Sequence, residues 1–166
     1  MALSIPFWDL VRSRGVTVLD RRRLHHLTRS VYEAAELIPA PLDRIVATII
    51  CWCGNRPALF LTTPAVRIDL DRIGTWFGAP VRPATPTEVS ALAATHLQGV
   101  PPSGLAFLMP AFLDEELLTA ETLWVPAGEP SLWLELTPAD LLKVTGAYPV
   151  ALRYREADRL RRVPGL

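Results

Sequence analysis

Two neighbouring runs of apolar residues constrain the fold of this chain more than any other feature. Residues 45–52 and 58–62 are rich in β-branched, aliphatic and aromatic side chains, and residues 53–57 between them include a glycine followed by an asparagine. Such runs favour strands, and the Gly-Asn pair tolerates the backbone angles of a tight turn. The pattern predicts a β-hairpin at the centre of a sheet, with Trp52 and Phe60 at least partly buried.

Capping residues and periodic apolar positions indicate the helices. Ser30 and Glu33 form a capping box that opens a helix over residues 30–37. Residues 69–77 carry apolar side chains at helical spacing, and Gly78 fits the end of that helix. Further helices are predicted over residues 6–13 and from the Thr-Pro pairs at 85–86 and 137–138.

The remaining apolar segments predict short strands that alternate irregularly with these helices. They lie at residues 16–19, 66–68, 105–113, 122–125, 131–136 and 147–152. No long linker divides the chain, and 166 residues are enough for one hydrophobic core. We therefore predict an α/β (α+β mixed) domain over residues 1–152, built as a mixed, partly closed β-sheet or barrel flanked by short helices. A basic C-terminal tail is predicted at residues 153–166.

The net charge is zero, but the basic residues are clustered. If the two clusters meet in space, they could bind phosphate groups. The alternative is that each is an ordinary solvated face, as charge runs near chain ends usually are. The early cluster consists of Arg21, Arg22, Arg23 and Arg29, and the late cluster of Arg153, Arg155, Arg159, Arg161 and Arg162.

The sequence carries no sign of a membrane span, a signal peptide or a metal site. Its longest apolar run, residues 45–53, is far shorter than the roughly 20 residues of a membrane-spanning helix. We expect a cytoplasmic protein without a membrane partner. Cys51 and Cys53 are two positions apart on a predicted strand, which favours buried free thiols over a mutual disulfide. The three histidines show no ligand spacing, so neither a metal nor another cofactor is predicted.

Sequence motifs of several common enzyme classes are absent. The chain contains no GxxxxGK, GxGxxG, HExxH or GxSxG pattern. Ser103 precedes Gly104 but lacks the context of a nucleophile elbow, which favours an ordinary loop serine. Dehydrogenase, kinase, zinc protease and α/β-hydrolase activities therefore have no support in the sequence.

A series of short motifs follows the predicted hairpin in a characteristic order. Val66-Arg-Ile-Asp-Leu70 leads into the helix that ends in Phe77-Gly-Ala79, and residues 82–88, 98–104, 113–117, 127–128 and 136–142 follow. In their order and spacing these motifs resemble the YbaK-like family of aminoacyl-tRNA editing domains. That family includes free-standing trans-editing proteins and the editing domain inserted in prolyl-tRNA synthetases.

The resemblance implies hydrolysis of the ester between a wrong amino acid and the terminal adenosine of tRNA, without a metal or a covalent nucleophile. Aminoacyl-tRNA would be the partner. A tight turn made by Gly99, Val100, Pro101 and Pro102 would be catalytic, because its backbone N–H groups would polarise the ester carbonyl. The substrate-binding residues implied by the resemblance are Ala47, Thr48, Gln98, Gly104 and Gly128.

Three positions depart from the family pattern. Ala47 stands where the family usually has a strand lysine, and Gln98 where a glycine usually opens a G-x-x-x-P loop. The segment after Gly128 lacks the histidine or asparagine of several members. Arg44 or Arg56 could supply a replacement cation. Two functions stay open: a deacylase of altered specificity, or a catalytically degenerate module that binds tRNA, a small ligand or a protein. In a third alternative the resemblance reflects the fold alone.

Overall fold

The computed structural model describes residues 6–25, 28, 30–93, 100–105, 108–129 and 131–160. Its α-helices are α1 (Phe7–Ser13), α2 (Val31–Leu37), α3 (Leu70–Phe77), α4 (Pro86–Ala93), α5 (Pro138–Thr145) and α6 (Glu156–Leu160). Within the described residues, 3-10 helices lie at Leu42–Arg44 and Glu115–Thr119. The strands are β1 (Asp20–Arg23), β2 (Ala47–Cys53), β3 (Arg56–Thr62), β4 (Val81–Pro83), β5 (Ala111–Asp114), β6 (Leu123–Pro126), β7 (Leu132–Leu136) and β8 (Tyr148–Val150).

The predicted hairpin lies at the centre of a five-stranded sheet with the strand order β4-β2-β3-β5-β8. Strands β2 and β3 pair antiparallel from Ala47 opposite Thr62 to Cys53 opposite Arg56. Gly54 adopts a φ of 62° in the two-residue turn, in the left-handed region that glycine favours. This confirms the hairpin, although both strands run closer to the turn than the apolar pattern predicts.

A three-stranded antiparallel sheet, β1-β7-β6, forms the second layer. The two sheets are linked by a parallel bridge between Ile45 and Trp124, where the N–H of Val46 donates to the carbonyl of Trp124 at 2.8 Å. Within the described residues this bridge joins the two sheets, and they do not close into a barrel. The mixed α+β prediction is confirmed, and the barrel alternative is wrong.

The predicted helix caps are present. The hydroxyl of Thr85 accepts from the N–H of Glu88 at 3.3 Å, and the Glu88 carboxylate accepts from the N–H of Thr85 at 2.8 Å, which makes a reciprocal capping box. Hydrogen bonds from Arg82 and from Thr85 lower the pKa of Glu88 to about 2. The side chains of Ser30, Asp69 and Thr137 likewise cap α2, α3 and α5.

Two strand predictions are displaced. The strand expected at residues 16–19 lies instead at Asp20–Arg23. The backbone of this segment pairs with β7, and the side chains of its three arginines project away from the plane of the sheet. The strand expected at residues 66–68 is reduced to one bridge, between Ile68 and Arg153. Both predictions relied on side-chain composition. Whether a segment forms a strand depends more on the backbone partners beside it than on its apolar side chains.

Apolar clusters pack on both faces of the sheets. The largest joins α1, α5 and the inner faces of both sheets, and includes Phe7, Leu61 and Leu134. A second cluster packs α2 against Trp124 and Trp133. The third packs α3 against β2 and β3.

The two cysteines lie in this third cluster. Cys51 and Cys53 are buried free thiols, as the sequence predicts. Burial, with a smaller contribution from Cys53, raises the pKa of Cys51 to about 12. The thiols therefore stay protonated near neutral pH and serve as core residues.

The start of the basic C-terminal segment is tied to the sheet. The guanidinium of Arg153 contacts the buried carboxylate of Asp114 at 2.7 Å and that of Glu116 at 3.0 Å. Arg72 of α3 holds α6 through Asp158 at 2.6 Å. The side chain of Arg153 is therefore docked, whereas that of Arg155 is 62% exposed, as in the solvated-face alternative. Arg29, Arg161 and Arg162 lie outside the described residues.

Among the helices that the structure describes, none has the length and apolar character needed to cross a bilayer. The same part of the chain contains no cluster of three or more His, Cys, Asp or Glu side chains suited to a metal ion.

Candidate functional site

A cavity of about 340 Å³ opens between the start of α2, the first half of β2 and the segment that follows β3. We call it cavity A. Its volume lies within the range of small-molecule sites in proteins. Cavity A is lined by Ser30, Val31, Tyr32, Val46, Ala47, Thr48, Ile49, Thr63, Pro64, Val66, Val100, Pro126 and Trp133.

The described walls of cavity A are neutral. None of its described lining residues is Lys, Arg, His, Asp or Glu. Most are aliphatic, and three of the polar ones are engaged within the protein. Tyr32 donates its hydroxyl to the carbonyl of Pro64 at 2.6 Å. The hydroxyls of Ser30 and Thr63 accept from the N–H groups of Glu33 and Ala65. The cavity therefore suits an uncharged group.

Three of the predicted site residues meet in cavity A. Ala47 and Thr48 open β2, and Val100 reaches the cavity from the loop that precedes β5. Ala47 faces Thr62 in the hairpin and is only 8% exposed. The hairpin register fixes the positions of Ala47 and Thr48, so this side of the site rests on a rigid element.

Three other predicted residues line a second cavity of about 470 Å³, which we call cavity B. Pro101, Gly104 and Gly128 contribute to it. Gly128 has a φ of 92°, and a Cβ at this position would lie 3.6 Å from the Pro101 ring. The turn after β6 and the loop after residue 99 therefore pack closely. Cavity B is lined by Pro6, Phe7, Trp8, Asp9, Arg21, Arg23, Ala93, Pro101, Gly104, Ala127, Gly128, Glu129 and Leu132.

One wall separates the two cavities. Val100 and Pro126 line cavity A, whereas their neighbours Pro101 and Ala127 line cavity B. In β7, Trp133 lines cavity A and its neighbour Leu132 lines cavity B, because adjacent strand residues point to opposite faces. Pro102 is buried and lines neither cavity. The predicted site residues Gln98 and Gly99 lie outside the described residues.

Cavity B is lined by cations, whereas the described lining of cavity A has none. Arg21 and Arg23 project from the same face of β1 into cavity B. The Arg21 guanidinium lies 5.8 Å from the centre of the Trp8 ring, and that of Arg23 pairs with Glu129 at 2.7 Å. Arg44 and Arg56, the replacements considered for the strand lysine, line neither cavity.

Sequence reasoning missed Trp133. The alternating pattern at residues 131–136 suggests that one face of this strand is solvated, yet β7 is covered on both faces. The face of β7 that carries Trp133 packs against α2. Trp133 therefore lines cavity A and is only 1% exposed. The aromatic residue among aliphatic ones was the only available signal.

No described residue of cavity A is a thiol, an imidazole or a carboxylate, so the described lining offers hydroxyls and backbone groups but no side chain in the form of an activated nucleophile or a general base. Pro101 and Pro102 carry no N–H, so among residues 100–102 of the loop only Val100 has a backbone donor.

Comparisons with known proteins agree with this geometry. Residues 25–144 match the family model of the aminoacyl-tRNA editing domain. A proposed trans-editing enzyme for prolyl-tRNA synthetase is 33% identical, with a TM-score of 0.78, and the match covers 89% of this chain and 94% of that chain. No curated protein sequence gives a significant match.

Two other solved structures share the fold. A scaffold protein used for computational grafting of linear epitopes is 31% identical, with a TM-score of 0.79 over 89% of this chain and 94% of that one. A hypothetical protein is 26% identical, with a TM-score of 0.81 over 89% of this chain and 98% of that one. Since the family model covers most of the chain and these relatives match its sequence and fold, the chain belongs to the YbaK-like family of aminoacyl-tRNA editing domains.

Proposed function

We propose that this protein is a deacylase that hydrolyses the ester of mischarged aminoacyl-tRNA, with the aminoacyl group held in cavity A. The observation that carries the proposal is the neutral cavity beside the Val100 loop, bordered by Ala47 and Thr48. Family membership supports the reaction class. Such a substrate would place the protein in the cytoplasm, where tRNA is charged.

In the proposed mechanism the loop binds the carbonyl of the ester. The N–H of Val100 would donate to the carbonyl oxygen, and Pro101 and Pro102 would hold the turn rigid without donating. A water molecule would attack the carbonyl carbon, and the bond to the ribose oxygen would break. The ribose oxygen would take a proton from that water, which gives a free amino acid and an intact tRNA. Gly99 and Gln98 would complete the loop.

A second candidate function follows from the charges. The family usually places a lysine at the position of Ala47, and the described lining of cavity A includes no cation. A charge-assisted contact to phosphate is among the stronger hydrogen bonds, so its loss would weaken binding of the terminal nucleotide. The alternative is therefore a catalytically degenerate module that binds tRNA, a small ligand or a protein partner.

The experiment that separates the two is a deacylation screen of tRNAs carrying different amino acids. We expect hydrolysis at least about tenfold faster than in buffer for aminoacyl groups with small, uncharged side chains, and none for Asp, Glu, Lys or Arg esters, because the described lining of cavity A offers no counter-ion to a charged side chain. Release of radiolabelled amino acid is the measurement. Val100→Pro, which removes the N–H, is expected to abolish turnover, whereas Val100→Ala retains it. Tight tRNA binding with no hydrolysis of any ester would favour the degenerate module.

Binding of tRNA is expected to depend on the cations of cavity B. Arg21→Ala should weaken tRNA binding and lower the slope of log affinity against log salt by about one, the effect of one lost phosphate contact. Arg22→Ala is the matched control, because Arg22 is on the same strand but does not line cavity B. Filter binding at several salt concentrations measures both variants. Equal slopes for the two variants would show that Arg21 does not contact a phosphate of tRNA.

A further inference from the structure

Cavity B combines charged and apolar side chains in one space of about 470 Å³. Arg21 and Arg23 supply guanidinium groups, whereas Trp8 and Pro101 supply apolar rings. A guanidinium group matches the geometry of a phosphate, and an aromatic ring stacks on a nucleic-acid base. A nucleotide presents both complementary parts, and the volume of cavity B lies within the range of small-molecule sites.

The N-terminal elements α1 and β1 build a large part of cavity B. Residues 6–9 come from α1 and its N-terminal cap, and Arg21 and Arg23 come from β1. All of these residues precede the segment 25–144 that matches the family model. Family membership therefore does not account for cavity B, and its chemistry must be inferred from its own residues.

Guanidinium groups surround the Trp8 ring. Those of Arg12 and Arg21 each lie 5.8 Å from its centre. The carboxylate of Asp9 pairs with Arg12, and the second carboxylate in the described lining of cavity B pairs with Arg23. Arg21 forms no ion pair with the described part of the chain, so it is the cation most available to an anionic ligand.

We propose that cavity B binds a nucleotide, with its phosphate on Arg21 and Arg23 and its base against Trp8. The Arg21 side chain is exposed, and its contact with the ring is weaker than a charge-assisted hydrogen bond to phosphate. Phosphate binding would therefore draw the guanidinium away from the ring and leave a face of the indole to the base. The ligand is either a free nucleotide or an unpaired nucleotide at the end of an RNA. That this RNA is tRNA rests on the proposed function.

The first test is a calorimetric titration of the wild-type protein with CMP. This probe avoids adenine, the base of the terminal nucleotide in the proposed substrate. We expect CMP to bind more tightly than cytidine or ribose 5-phosphate by about fivefold or more, because each of these lacks the phosphate or the base. Equal affinities for CMP and ribose 5-phosphate would make cavity B an anion site and overturn the proposal. So would the absence of CMP binding up to its solubility limit.

The second test uses variants. Arg21→Met removes the guanidinium, keeps most of the apolar stem and should weaken CMP binding by about tenfold or more. Arg22→Met, on the same strand but outside cavity B, should not. Trp8→Leu should remove the advantage of CMP over ribose 5-phosphate, and Ala47→Met in cavity A should leave CMP binding unchanged. Equal effects of the two arginine variants, or loss of CMP binding in Ala47→Met, would contradict the proposal.

A third measurement identifies the source of the nucleotide. Intact tRNA is compared by filter binding with tRNA whose unpaired 3′ end has been removed. If cavity B binds this end, the shortened tRNA should bind more weakly, and Arg21→Met should weaken only the intact form. If Arg21→Met weakens CMP binding and affects neither tRNA, the ligand is the free nucleotide. Equal weakening of both tRNAs would overturn the assignment to the unpaired end.

These measurements are independent of catalysis. CMP binding in a protein that hydrolyses no ester would leave the nucleotide site intact and refute the deacylase. Hydrolysis without CMP binding, and without any effect of Arg21→Met on binding, would refute the nucleotide site alone.

Discussion

Replacing Arg153 with methionine is expected to lower the free energy of unfolding by about 3–5 kcal/mol, because it leaves the buried carboxylate of Asp114 without its charge partner. The Asp114 side chain is 1% exposed, and the guanidinium of Arg153 lies 2.7 Å from it. Methionine retains most of the apolar stem of arginine, so the loss reports the charge. Urea unfolding at neutral pH measures the change.

Two further variants test whether the lost charge pair causes the destabilisation. Arg155→Met removes a cation of the same segment that pairs with Glu116 at a more exposed position, and should cost less than about 1 kcal/mol. Combining Arg153→Met with Asp114→Asn removes both charges and should restore part of the lost stability. If Arg153→Met and Arg155→Met cost the same, the segment is the solvated run that the sequence suggests.

The fold could be predicted from the sequence wherever its signals are local. The hairpin β2–β3 and the capped helices depend on residues within a few positions of each other, such as Thr85 with Glu88. The pairing of β1 with β7 joins residues more than a hundred positions apart, and the three arginines of β1 gave no sign of it. The contact between Arg153 and Asp114 joins residues 39 positions apart, and no local signal predicts it either.

The candidate site could be predicted in part. Ala47, Thr48 and Val100 do converge, because the motif order of the family reflects its topology. The resemblance treats the loop and the Gly128 turn as one site, but it cannot indicate that neighbouring residues face different cavities. That division depends on the three-stranded sheet between them, and Trp133 was missed for the same reason.

The two cavities differ in the charge of their described lining residues. Cavity A holds no described cation, and the arginines of cavity B lie on the other side of the wall formed by the loop and the turn after β6. Arg21 and Arg23 could attract the backbone of tRNA, but they do not line the space proposed for the acyl group. A cation placed inside cavity A would therefore add a contact that the natural chain lacks.

Introducing that cation through Ala47→Lys is expected to raise deacylation of mischarged tRNA by about tenfold or more. A charge-assisted hydrogen bond to the terminal phosphate contributes roughly 1.5–3 kcal/mol, which corresponds to at least this factor. Ala47 lies at the start of β2 and lines cavity A. We also expect a lower Tm, since no carboxylate among the described lining residues pairs with the new ammonium group. Single-turnover hydrolysis and thermal unfolding measure the two effects.

Ala47→Met is the control, because it fills a similar volume without a charge. It should give no gain in deacylation and should slow the reaction if it occupies space needed by the acyl group. A gain with lysine alone would show that the pocket is otherwise intact and lacks only a phosphate contact. A lower Tm for Ala47→Lys with no gain in hydrolysis would instead mean that cavity A has been rebuilt for another ligand, and the deacylase proposal would then give way to the binding module.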